Sequence, residues 1–181
     1  MNTDIRYSSP AIALHWVIAV MLFGMVGLGF YMTGLSLSPF KLKVFSWHKW
    51  AGVTVFLLVL LRIVWRLLNP PPALPAGMSK PMQWLAHAGH FALYALMLLI
   101  PLSGWLMSSA MGFQTVWFGV LPLPDLVARD KALAEVMQNA HFMLNVLMIV
   151  TVVGHVLAAL HHQFGKKDGL LYRMLPLAAL K

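Results

Sequence analysis

The chain has 181 residues, of which 60% are hydrophobic and only 10% are charged, so its composition excludes an ordinary soluble globular domain. It has no cysteine, which excludes disulfides, iron–sulfur clusters, thiolate zinc sites and covalently attached c-type haem. Its formal net charge is +8, but the basic residues lie in short loops and tails between apolar runs, which indicates contact with membrane lipid and no nucleic-acid partner.

The first apolar run, residues 11–32, carries no charge and is longer than the core of a cleaved signal peptide. We therefore expect a retained transmembrane helix, with His15 just over one turn from its start. A second helix is predicted over residues 44–68. His48 lies near its beginning, and Arg62 follows fourteen residues later on nearly the same face.

A Pro-rich linker, NPPPALPAGMSKP, precedes a third predicted helix over residues 83–110, which places His87 and His90 on one face of its first turns. The fourth helix is predicted over residues 139–164. The long connection before it ends in DLVARDKALAEVMQ, which is expected to be an amphipathic turn or an extension that leads into this helix. The basic tail, residues 165–181, is expected to lie along the membrane surface. The predicted architecture is an all-α four-helix bundle that forms one membrane domain, residues 1–181.

The basic residues predict the orientation of this bundle, because cytoplasmic loops are enriched in Lys and Arg. The end that holds both termini carries eight basic residues and the opposite end carries five, so both termini are expected in the cytoplasm. The eight are Arg6, Arg62, Arg66, Lys80, Lys166, Lys167, Arg173 and Lys181, and the five are Lys41, Lys43, Lys49, Arg129 and Lys131.

Two histidines of the fourth helix, His141 and His155, are fourteen residues apart. Fourteen helical steps return a side chain to within ~40° of its first direction, ~21 Å further along the axis. Ionisable side chains inside a membrane helix indicate a functional site. Two histidines at different depths of one helix favour a haem at each level. The expected axial pairs are His15 with His155 and His48 with His141.

Other sites and roles remain open at this stage. A zinc or copper site would need three or four converging ligands, which these spacings do not offer. A lone histidine in an apolar helix is usually a hydrogen-bonded core residue, but four arranged as two level pairs favour ligation. His162 is an alternative inner ligand or a propionate partner, and Thr151 is a candidate acceptor for a ring N–H of His155. Arg62, His87 and His90 are candidates for propionate or quinone contacts, although Arg62 could equally snorkel to the interface.

Four stretches carry a family resemblance: ALHWVIAV, WHKWAG, WLAHAGHFALYALMLLIPLSGW and GHVLAALHHQFGKKDGLLYRMLP. Together they resemble the bacterial cytochrome b561 family over essentially the whole chain. The resemblance implies a four-helix protein of the bacterial inner membrane that binds two b-type haems and passes electrons between a donor and membrane quinone, with ubiquinone as the acceptor. It also implies axial roles for His15, His48, His141 and His155.

The resemblance allows more than one donor, since some members of the family are superoxide:ubiquinone oxidoreductases. A basic outer face would attract a small anion such as superoxide. Its basic residues could equally be ordinary solvated loop charges, partly neutralised by Asp125, Asp130 and Glu135. The same face could instead dock an acidic electron-donating protein, for which this chain would be a membrane relay. A third possibility, from another class, is a haem-free transporter whose histidines carry protons or metal. That class is typified by repeat-related broken helices, and the sequence shows no convincing internal repeat.

Overall fold

The computed structural model describes residues 6–75 and 77–176, so the last five residues of the predicted basic tail lie outside the described part. Four helices are each long and apolar enough to cross a membrane, which confirms the predicted all-α four-helix bundle. They are α1 (Ser9–Gly34), α2 (Pro39–Leu68), α3 (Lys80–Ala110) and α4 (Lys131–Leu160). The start of α1, the α2–α3 linker and the end of α4 form what we call the terminal end, and the α1–α2 turn and α3–α4 connection form the distal end.

All four helices begin earlier than predicted, and two of them begin more than a turn earlier. Helix α2 starts at Pro39 instead of residue 44, because the Ser38 side chain accepts a hydrogen bond from the Lys41 amide at 3.2 Å. Helix α4 starts at Lys131 instead of residue 139, because Asp130 accepts from the Leu133 amide at 3.1 Å. The prediction started each helix where its apolar run begins, whereas the structure starts it at the capping residue.

The end of α4 widens into a π-helix, His161–Lys166, which closes at Lys167 in the left-handed region with φ of 54°. The described part of the tail then folds back over the terminal end, and its expected position along the membrane surface stays a prediction. The Trp16 indole donates to the Met174 carbonyl at 2.8 Å, and the Arg173 guanidinium donates to the Ala73 carbonyl at 2.7 Å. These bonds tie the tail to α1 and to the α2–α3 linker.

The α3–α4 connection contains a short antiparallel hairpin that the sequence analysis did not predict, with strands β1 (Val116–Trp117) and β2 (Leu121–Pro122). Two indoles fasten it to α2. Trp50 Nε1 donates to the Val116 carbonyl at 2.6 Å, and Trp117 Nε1 donates to Thr54 Oγ1 at 3.3 Å.

The core lies halfway along the bundle. Helix α1 packs against α2, α3 packs against α4, and contacts between α2 and α3 join these two helical hairpins. All four helices contribute side chains to one buried cluster, which consists of Ile18, Val55, Val59, Leu96, Met97 and Met148. Met148 is seven residues from both His141 and His155, so this apolar layer separates the two histidine levels.

Candidate functional site

Four histidines form two facing pairs, one near each end of the bundle. At the terminal end the ring centroids of His15 and His155 are 6.3 Å apart, and at the distal end those of His48 and His141 are 6.4 Å apart. The structure therefore brings together the same partners that the depth argument paired. Each pair joins the α1–α2 hairpin to the α3–α4 hairpin, because one ring comes from each.

The centroid distances can be compared with the geometry of a metal between two imidazoles. A metal–imidazole nitrogen bond is about 2.0–2.1 Å, and ring bonds of about 1.35 Å put each nitrogen about 1.1 Å from its centroid. A metal bound by two opposed rings thus separates the centroids by about 6.3 Å. Both pairs match this value, which is too long for a direct bond between the rings. Across residues 6–75 and 77–176, no group of three or more His, Cys, Asp or Glu side chains could hold a bare metal ion.

The surroundings of His141 determine which of its ring nitrogens is available. Its Nδ1 lies 3.1 Å from the Ile100 carbonyl and 3.0 Å from Ser103 Oγ. Ser103 already donates its hydroxyl proton to the Ile100 carbonyl at 2.8 Å, so both neighbours act as acceptors and Nδ1 carries the proton. Nε2 is then left with its lone pair, as a metal ligand requires.

Gly104 makes the room for this ring. A Cβ at that position would lie 3.2 Å from His141 Cε1 and 3.3 Å from Nδ1, which is closer than ordinary contacts. Neither Ser103 nor Gly104 was among the residues predicted to form the site. The signal was available in the run IPLSG, where a proline, a hydroxyl and a glycine interrupt an apolar helix.

His48 lies beside α1, where a Cβ on Gly29 would be 3.7 Å from its Cε1. Its Nδ1 is buried and has no hydrogen-bond partner within the described ranges. Buried polar nitrogens are nearly always bonded, so protein hydrogen bonds do not account for the position of this ring. A ligand bound by the ring fits that observation.

At the terminal end two further predicted residues approach the His15–His155 pair. The His90 ring meets the His155 ring edge-on with centroids 5.4 Å apart, and its Nδ1–H donates to the Ala86 carbonyl at 2.7 Å. Arg62 reaches into the bundle, since its guanidinium donates to the Ala11 carbonyl at 2.6 Å and to Tyr94 Oη at 3.0 Å. Arg62 therefore does not simply snorkel to the surface, and it ties α2 to both α1 and α3.

The remaining candidates lie further from the pair. His87 is exposed on the surface of α3. His162 is buried, and its Nδ1 donates to Asp168 Oδ2 at 2.5 Å, so the ring that faces His15 is that of His155. Thr151 donates its hydroxyl to the Leu147 carbonyl at 2.7 Å, which leaves its oxygen able to accept, so its role as acceptor for His155 stays a prediction.

The Asp168 side chain binds His162 as a charged carboxylate. Partial burial raises the pKa of this carboxyl, but hydrogen bonds from His162 and the Leu170 amide, with the nearby charge of Arg173, outweigh burial and leave the pKa below its ordinary value. Asp168 therefore remains a carboxylate at neutral pH, and it fixes the tautomer of His162.

Comparisons with known proteins give a consistent picture. The family model described as prokaryotic cytochrome b561 matches residues 6–177. The chain is 38% identical over 176 residues to cytochrome b561 homolog 2 of Escherichia coli (strain K12), covering 96% of this chain and 93% of that protein. It is 26% identical to the probable superoxide oxidase CybB of Yersinia pestis, covering 94% of this chain and 96% of that protein.

Proposed function

Because this chain belongs to the prokaryotic cytochrome b561 family, we propose that it is a dihaem electron-transfer protein of the bacterial inner membrane, which passes electrons from a donor at its distal end to ubiquinone. The family implies b-type haem, and a bound haem supplies a one-electron redox centre. The observation that carries the proposal is the pair of histidine separations, 6.3 Å and 6.4 Å, each of which matches two imidazoles on opposite sides of one iron.

In this proposal His15 and His155 hold the terminal-end haem, and His48 and His141 hold the distal-end haem. Each haem would be held by two histidines, and a haem held in this way would suit electron transfer better than oxygen binding. The Nδ1 hydrogen bond of His141 supports its role, because it leaves Nε2 unprotonated and increases the basicity of the ring.

The helices set the distance between the two levels. His141 and His155 are about 21 Å apart along α4, calculated from the helical rise. The buried layer around Met148 holds this spacing with side chains from all four helices. The bundle would thus keep two redox centres at opposite ends of the span without any moving part.

We place ubiquinone reduction at the terminal end, near Arg62 and His90. Reduction of ubiquinone to ubiquinol consumes two electrons and two protons, so its site needs cationic or N–H donors and a proton supply. Arg62 has N–H groups beyond those that bond Ala11 and Tyr94, and His90 has a second ring nitrogen. His162, buried against Asp168 on the same side, is the proposed proton carrier. Both termini would face the cytoplasm, as the distribution of basic residues predicts.

For the donor we propose superoxide, two molecules of which would be oxidised to dioxygen for each ubiquinol formed. A relative with similarity over nearly the whole chain is named a probable superoxide oxidase. The distal end is basic, and two of its lysines are held in place: Lys41 donates to the Leu35 carbonyl at 2.5 Å, and Lys49 to Ser108 Oγ at 3.3 Å. A fixed positive field raises the encounter rate of a small anion.

Haem content and ligand variants test the proposal. Purified protein should show a Soret band and a pyridine haemochrome of two haems per chain. His15→Ala or His155→Ala should remove only the terminal-end haem, and His48→Ala or His141→Ala only the distal-end haem. A colourless protein would instead favour the haem-free transporter, and loss of both haems in every variant would indicate a folding defect.

A salt series separates the two donors. Superoxide added to oxidised protein in nanodiscs that contain ubiquinone should reduce the haems and form ubiquinol, more slowly as salt rises. Haems that stay oxidised until a separate electron-donating protein is added would leave only the relay function.

A further inference from the structure

The α3–α4 connection contains a segment, residues 112–124, without a single charged side chain; we call it the hairpin segment. Four of its large apolar side chains are exposed: Phe113 is 63% exposed, Phe118 57%, Val120 83% and Leu121 51%. An exposed apolar cluster of this kind indicates contact with something other than water.

The hairpin segment lies on the side of α2 that faces away from the histidine pairs. At 100° per residue, Val55 and Val59 of the buried core point within ~20° of the direction of His48, whereas Trp50 and Thr54 point about 160° and 120° away from it. Trp50 and Thr54 are the residues that bind the hairpin segment. The exposed side chains therefore do not lie on the side of α2 that carries His48. They continue the lipid-facing surface of α2.

The depth of these contacts places the hairpin segment beside the membrane. Counted from Leu68 at the terminal end of α2, Thr54 is about 21 Å along the helix and Trp50 about 27 Å. The hydrocarbon layer of a bilayer is about 30 Å thick. Both distances from Leu68 are shorter than this thickness but longer than half of it. A hydrocarbon layer that begins near Leu68 would therefore hold Thr54 and Trp50 in its distal leaflet.

Many backbone groups of the hairpin segment are hydrogen-bonded, which lowers the cost of placing them in an apolar environment. Its first carbonyls, those of Phe113 and Gln114, accept from the Lys49 ammonium at 3.3 Å and 3.4 Å. Three carbonyls of the segment accept hydrogen bonds from side chains: Val116 from Trp50 Nε1 at 2.6 Å, Pro124 from Trp105 Nε1 at 3.1 Å, and Leu123 from Gln114 Nε2 at 3.1 Å. The amides of Gly119, Val120 and Leu123 donate to carbonyls within the segment. Pro122 and Pro124 have no amide hydrogen to satisfy.

From these observations we propose that the hairpin segment is a membrane anchor, seated in the distal leaflet on the lipid-facing side of α2, with Phe118, Val120 and Leu121 in contact with lipid. Phe118 has a positive φ of 49°, which is rare for an aromatic residue and turns its side chain onto the Trp50 and Trp117 rings at 5.6 Å and 5.2 Å. Tryptophan and other aromatic rings are typical of the membrane interface. The anchor rests on no assumption about haem or donor.

The absence of cysteine allows a direct test with single spin labels. Val120→Cys, labelled and reconstituted in nanodiscs, is compared with two controls in the same chain. Ala128→Cys lies in the charged part of the same connection, and Val153→Cys lies on the exposed apolar surface of α4. Collision rates with oxygen, which dissolves in lipid, and with a water-soluble nickel chelate are then measured by power saturation.

We expect the Val120 label to behave like the Val153 label, with high oxygen accessibility and nickel accessibility several-fold lower than at residue 128. The haem spectrum of each labelled variant checks that the bundle is intact. A Val120 label as accessible to nickel as the Ala128 label would overturn the proposal, because the hairpin segment would then stand in water. Nickel access that is lost only when an electron-donating protein is added would identify that protein as the occupant instead.

Discussion

Gly104→Ala offers a sharp test of how the distal-end site is built. The new Cβ would lie 3.2 Å from His141 Cε1, so the ring must move by a few tenths of an ångström. That shift loosens the hydrogen bonds of Nδ1 to Ile100 and Ser103, each worth about 0.5–1.5 kcal/mol. Overpacking typically costs about 1–3 kcal/mol, while replacing a mid-helix glycine by alanine returns about 0.5–1 kcal/mol. The expected net loss of stability is therefore about 1–2 kcal/mol.

The spectroscopic consequence should be confined to one centre. We expect Gly104→Ala to lower the occupancy of the distal-end haem or to shift its midpoint potential and EPR signal, because an axial ring has been displaced. The proposed terminal-end haem, at His15 and His155, should titrate as before. The assay is a redox titration with optical and EPR detection, alongside the haem-to-protein ratio.

Gly24→Ala is the matched control, because a Cβ there meets nothing within 4 Å and Gly24 points about 180° away from His15 on α1. It should leave both haems unchanged and be neutral or slightly stabilising. If Gly104→Ala left both titrations and both EPR signals unchanged, the idea that this glycine positions the distal ligand would be refuted.

Three further outcomes are expected. Arg62→Ala or His90→Ala should reduce quinone reduction at least several-fold while haem content stays near two per chain; unchanged activity in both variants would contradict the proposed terminal-end quinone site. His162→Ala should slow quinol formation more than it slows haem reduction in stopped-flow assays, and equal effects on both would argue against proton delivery. Asp168 has a lowered pKa in the folded state, so its contribution to stability is present above its unfolded value near 3.8 and is lost as the pH falls through the folded pKa. Between neutral and strongly acidic pH, the wild type should therefore lose more thermal stability than Asp168→Asn. Equal losses in the two proteins would refute a stabilising role for the Asp168 carboxylate.

The features that follow from helical geometry alone were predictable from the sequence. Span length and the fourteen-residue spacing of His141 and His155 depend only on rise and rotation per residue, and the structure pairs the same rings. The early starts of α2 and α4 were also readable in principle, because Ser38 precedes a proline and Asp130 precedes KALA. Both starts were predicted too late because apolar content was given more weight than capping chemistry, although an extension into α4 was one of the two expectations for the segment before it.

Other features depend on contacts between distant segments, and these the sequence could not supply. No local pattern shows that Trp50 and Trp117 would fasten a hairpin to the outside of α2. Similarly, the partner of His162 lies beyond a π-helix, whose wider turn changes the face on which each later residue lies. A regular helix extrapolated from His155 therefore could not find Asp168.

The way each histidine pair bridges the two helical hairpins has a consequence for biogenesis. The rings of His15 and His155 come from opposite ends of the chain, so the terminal-end pocket does not exist until translation has delivered nearly all of α4 to the membrane. The α1–α2 hairpin can insert and pack beforehand, because its contacts are local in sequence. Cofactor loading is thus expected to be a late, post-insertion event. A chain stalled before residue 141 should enter the membrane as a colourless intermediate that quality-control proteases can degrade.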